Sequence, residues 1–171
     1  MPAGGTGLVL RGLRKEPATI GKWHLGWDLT YKEGKAKTVD NIDFTKRVAN
    51  GPTDRGFDYF YGLTSPSGPP HLYMVNDMAE KQPNTRFEES GGGLYKIKGG
   101  IGHSDWSADG MQPHLADKML EYLDENKDSD KPFFLYMALT APHIPLFPSK
   151  EFKGKSKIGD YGDLAMMIDD I

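Results

Sequence analysis

The chain has 171 residues, sets 21 Lys and Arg against 24 Asp and Glu for a net charge of -3, and is 37% hydrophobic. This suffices for one ordinary domain burying roughly 70% of its unfolded surface, and the near balance of charge excludes a general nucleic-acid binder and a disordered chain. No apolar run nears the roughly 18 residues of a membrane span, the opening Met1 to Gly7 carries no signal-peptide pattern, and the absence of cysteine excludes disulfides, thiolate zinc sites and thiol nucleophiles among these residues.

In chain order, Leu8 to Leu13 is only weakly amphipathic. Ala18-Thr19-Ile20 then predicts a short strand leading into Gly21-Lys22-Trp23-His24-Leu25-Gly26, where two glycines that permit tight turns bracket a cation and an imidazole. Lys22 and His24 are two residues apart, so on extended backbone both can face one tetrahedral oxyanion. The plainer alternative is a surface lysine beside a histidine packed on Trp23.

From Gly51 to Gly102 the chain is rich in Gly and Pro, with Ser67-Gly68-Pro69-Pro70 and Gly91-Gly92-Gly93, and reads as functional loops more than as a linker. Phe57, Tyr59, Phe60 and Tyr61 lack basic interleaving and read as core and pocket wall. Between Pro113 and Asn126, Leu115, Ala116, Met119, Leu120 and Leu123 recur at helical spacing, which predicts an amphipathic helix. The apolar run Phe133 to Leu139 is too short for a typical helix and predicts a strand buried on both faces. Helix followed by buried strand implies an α/β fold. Leu164, Met167, Ile168 and Ile171 predict a last helix from Tyr161, read as cut within its length because no capping residue follows.

At the end of the Phe133 strand stands Ala141-Pro142-His143-Ile144-Pro145, a histidine with prolines on either side. Ligands of open α/β sheets bind beyond the carboxyl ends of strands, so His143 can bind an oxyanion or donate a proton, or else merely satisfy loop carbonyls. His71, His103 and His114 have no recognised metal spacing and read as structural or surface residues. The acidic residues, Asp58, Asp77, Asp105, Asp109, Asp163, Asp169 and Asp170 among them, are scattered, and no EF-hand loop occurs, so no metal ligand is assigned.

Four ordered motifs carry a family resemblance: Gly21 to Gly26, Arg55-Gly56-Phe57-Asp58-Tyr59-Phe60-Tyr61-Gly62, Lys131 to Tyr136 with Ala141 to Pro145, and Gly159-Asp160-Tyr161-Gly162-Asp163. From about Ala18 to Ile171 the chain resembles the arylsulfatase-like branch of the sulfatase family. Residues 1–17 match it poorly, and 18–171 read as part of a catalytic domain. The resemblance implies an alkaline-phosphatase-like α/β fold, a formylglycine nucleophile made from the cysteine of a C-x-P-S-R motif, and Ca2+ held by carboxylates and an amide. It further implies that Lys22 and His24 contact the sulfate or nucleophile and that His143 contacts the ester oxygen and assists the leaving group. A serine after Gly62 is implied to touch sulfate, with Ser65 and Ser67 competing for the role.

No C-x-P-S-R and no Asp-Asp pair before Gly21 occur here. The expected formylglycine and calcium ligands therefore fall outside these residues, and the chain is expected to be an inactive piece of a sulfuric ester hydrolase. The alternatives are a non-catalytic sulfatase-like binding protein and a related phosphatase or phosphodiesterase of the same superfamily. The expected partner is a small sulfate ester or a sulfated glycan, with no nucleic acid. Related enzymes are usually secreted, periplasmic or lysosomal. An exposed apolar face and marginal stability are expected where further segments of such a domain would pack.

Overall fold

The computed structural model describes residues 16–171, so the weakly amphipathic Leu8 to Leu13 lies outside the described residues. Among the described residues seven strands form: β1 (Glu16–Lys22), β2 (Tyr59–Leu63), β3 (Met74–Val75), β4 (Met78–Ala79), β5 (Thr85–Phe87), β6 (Gly100–Gly102) and β7 (Phe133–Ala138). Among the described residues two α-helices accompany them, α1 (Met111–Asn126) and α2 (Asp160–Asp170). The main sheet has the order β4-β3-β2-β1-β7, while β5 and β6 make a separate antiparallel hairpin. β2, β1 and β7 are mutually parallel, with Gly21 opposite both Gly62 and Ala138, so all three strands end at one edge. The expected α/β fold is present, as a mixed sheet whose parallel part lies around β1.

Side-chain alternation sorts the core onto two faces. Ala18 and Ile20 of β1, with Tyr61 and Leu63 of β2, face Leu115 and Met119 of α1. Phe60 turns the other way, toward Trp23, Phe57, Phe44, Leu72 and Met74. Phe57, Phe60 and Tyr61 are thus core, and the Gly51–Gly102 stretch packs onto the sheet through them rather than hanging free as a linker.

Two expectations need correcting. β7 is not buried on both faces: among the described residues it is an edge strand, with Tyr136 and Met137 exposed at 53% and 49%. Its apolar composition matches that of an inner strand, but burial depends on neighbours, and β1 is the strand paired with it. On α1, Leu120 and Leu123 do not join the buried face. Leu115, Met119 and Tyr122 form the buried stripe at i, i+4, i+7, and the stripe through Ala116, Leu120 and Leu123 is offset by one residue, about 100° around the helix.

Candidate active site

The sheet's carboxyl edge is built by close backbone approach. Gly21 has φ of 130°, and a Cβ there would lie 2.0 Å from the Ala138 carbonyl oxygen, while one at Gly62 would lie 1.7 Å from that of Gly21. Only glycine fits at these two positions. The three strand ends lie side by side, and at the usual strand spacing they span about 10 Å.

Lys22 is the last residue of β1, partly exposed, and the ladder continues through the Trp23 N–H to Leu63 O at 2.9 Å. Trp23 tucks inward, edge-on to Phe57, and its indole N–H donates to Gly26 O at 3.1 Å, closing the turn. His24 is left exposed. Ser65 and Ser67, both partly exposed, lie in the loop leaving β2, where a Cβ at Gly68 would meet the Ser65 hydroxyl at 3.4 Å.

His143 lies five residues past β7 in a turn held by its own N–H donating to Thr140 O at 3.2 Å. Its Nδ1 sits 2.6 Å from Ile144 O. A carbonyl can only accept, so Nδ1 carries the proton and Nε2, which has no partner among the described residues, is left to meet a ligand. The buried Thr140 beneath this turn accepts a hydrogen bond from Gln112, which fastens the start of α1 to the His143 loop. No sequence signal marked that pair, because the residues are 28 positions apart and neither belongs to a recognisable motif.

The other titratable groups serve the scaffold. The Tyr61 hydroxyl donates to Glu80 at 2.8 Å, so at 2.7 Å it must accept from His114, whose Nε2 carries the proton. Burial above all, then Glu80, pushes the Tyr61 hydroxyl pKa up, and burial holds His114 below the usual imidazole range against the opposing pull of Glu80. His71 is fully buried, donates from Nε2 to Lys98 O at 2.8 Å, and is likewise held low by burial. His103 bonds Asn84 and accepts the Asp105 N–H. Asp163 accepts the N–H groups of Gly154 and Ser156, each at 2.6 Å, and these bonds hold its carboxyl below the ordinary range.

Among the described residues, no three His, Cys, Asp or Glu side chains cluster as metal ligands. The described residues alone therefore do not fit the calcium site implied by the resemblance. Among the described residues, no helix is long and apolar enough to cross a membrane.

Lys22, His24, Ser65 and His143 thus stand at or just past the carboxyl ends of the parallel strands of an α/β sheet. The chain belongs to the sulfatase family, whose sequence profile matches residues 9–170. It is 29% identical over 166 residues to an N-acetylgalactosamine-6-sulfatase of Sus scrofa, an alignment covering 95% of this chain and 26% of that protein. The chain thus spans about a quarter of that relative's length. Among solved structures, one described with glycosaminoglycan metabolism by Bacteroides thetaiotaomicron superposes with a TM-score of 0.69 at 20% identity, over 94% of this chain and 38% of that one. A sulfatase from Pseudoalteromonas sp. gives 0.61 at 20% identity, over 96% and 32%. The fold is the alkaline-phosphatase-like fold of sulfatases, in part.

Proposed function

We propose that the chain forms part of a sulfuric ester hydrolase and that its carboxyl sheet edge grips the sulfate group of a sulfated glycan. The observation that supports this is the parallel order β2-β1-β7, which sets the loops of Ser65, of Lys22 and His24, and of His143 at neighbouring strand ends. Lys22 offers three donors to sulfate oxygens, His24 and Ser65 add further donors, and a cation aimed where charge develops favours the transition state most. With Nδ1 committed to Ile144 O, Nε2 of His143 is the atom that would meet the ester oxygen and, once protonated, hand its proton to the departing alcohol. The glycan assignment rests on the relative's name, an N-acetylgalactosamine-6-sulfatase. The nucleophile and calcium would come from outside these residues, so this chain alone binds without turnover.

Titration of the 171-residue chain with N-acetylgalactosamine 6-sulfate, followed by NMR, tests the reading. Shifts should concentrate at Lys22, His24, Ser65 and His143, and Lys22→Ala should weaken binding about tenfold, the usual loss for a hydrogen bond to a charged group. Binding left unchanged by both Lys22→Ala and His143→Ala would sink the assignment. Hydrolysis of a chromogenic aryl sulfate that disappears in Lys22→Ala would show that a nucleophile lies within these residues after all.

A further inference from the structure

The segment from Gly91 to Lys98 is strung between the two loops that flank the end of β1. At one end, the Lys98 N–H donates to Ser67 O at 2.9 Å, in the loop leaving β2, and Lys98 O accepts from the buried His71 ring. At the other, Leu94 O accepts the N–H of Leu146 at 2.9 Å, three residues past His143 in the loop leaving β7. The four residue steps from Leu94 to Lys98 reach at most about 14 Å, so the segment is a short brace between the two loops.

Further anchors hold it. Ile97 is buried in the core beneath and pairs with Ser90. The Tyr95 ring lies edge-on to Phe147 at 6.1 Å, and the nearby Asp160 carboxylate at the start of α2 pushes the Tyr95 hydroxyl pKa up. With these residues committed to the scaffold, Leu94, Lys96 and Lys98 remain exposed. Lys96 pairs with Glu89 at 3.0 Å. The Lys98 ammonium has no partner among the described residues, although both of its backbone polar groups are engaged. Its charge is therefore not needed to hold the brace, and its backbone is bonded to Ser67 in the loop leaving β2.

We propose that Gly91–Lys98 is the rim that reads the substrate beyond its sulfate group, with Lys98 receiving a second anionic group carried on the adjoining sugar of a sulfated glycan. The inference rests on the sulfate-binding reading of the carboxyl edge. An exposed ion pair is worth about 1 kcal/mol at most, which corresponds to about fivefold in affinity, and it weakens as salt shortens the Debye length.

Two probes separate this from the sulfate grip: N-acetylgalactosamine 6-sulfate, and the disaccharide that joins a uronate to the same sulfated sugar. Calorimetric titration of the full chain should give tighter binding of the disaccharide. Lys98→Gln should weaken the disaccharide about fivefold and leave the monosaccharide unchanged, Lys98→Arg should restore the preference, and about 1 M salt should erase it. Equal weakening of both probes by Lys98→Gln would mean that the residue acts only as scaffold, and no weakening of either would mean that it reads nothing; each overturns the inference. Lys22→Ala and His143→Ala separate the two readings: monosaccharide binding unchanged by both removes the sulfate grip itself, while binding weakened by them with an unchanged Lys98→Gln removes only the rim. A wild-type chain that binds neither probe overturns both.

Discussion

β1 and β7 lie side by side, paired from Glu16↔Phe133 to Gly21↔Ala138, and β7 is the more apolar of the two, yet β1 is the one that is covered. Ile20 is fully buried, while Met137, its register partner on β7, is half exposed. β1 has a strand on either side and a packed cluster on each face; β7 has one neighbour among the described residues. Beside β7 runs a groove of about 330 Å³ lined by Leu120, Leu123, Met137, Phe152, Met167 and Ile171. An apolar strand sequence therefore records a need for cover, and the position in the sheet decides whether the cover is there.

The largest expected effect tests that contrast at one register pair. Ile20→Ala should cost about 2–5 kcal/mol, the transfer and cavity terms of a filled core. Met137→Ala should cost less than about 0.5 kcal/mol, as at a surface site. Equal losses in denaturant titrations would break the comparison and would mean that β7 is covered in solution. A second, smaller effect concerns the groove. The wild-type chain should bind a hydrophobic dye and self-associate as its concentration rises, and Leu120→Glu with Met137→Lys should reduce both in fluorescence and sedimentation measurements. Dye binding untouched by that pair would move the sticky surface elsewhere.

The smallest effect belongs to the covered side. Burial holds His71 and His114 below the ordinary imidazole value of 6.5, so in the unfolded chain each takes up a proton at a pH where the folded one does not. The unfolded state then binds more protons, and stability, fully present above about pH 6.5, declines as pH falls below it. Thermal midpoints at about pH 7.5 and about pH 5.5 should differ in that direction. His114→Gln should narrow the gap, and a gap left unchanged in both His114→Gln and His71→Gln would contradict it.

Much of this was written locally. Helical spacing marked α1 and α2 to within two residues at their starts, and the apolar run at Phe133 marked β7, because periodicity is a property of neighbouring residues. The motif residues stood out in the chain, and the family resemblance attached roles to Lys22, His24 and His143. β2 was read as core rather than as a strand, since Tyr59-Phe60-Tyr61-Gly62-Leu63 shows no alternation of apolar and polar residues.

Tertiary structure decided the rest, through contacts between distant parts of the chain. It chose which of two adjacent apolar stripes on α1 packs inward, left β7 at an edge, and brought Tyr61 to His114 across 53 positions. It also drew Lys98 to Ser67 and Leu94 to Leu146, contacts made through backbone groups that every residue type carries. The sequence determines which residues can do chemistry and which must be buried; the order of strands decides which loops become neighbours, and that order is set by pairing across the sheet, which no local pattern encodes.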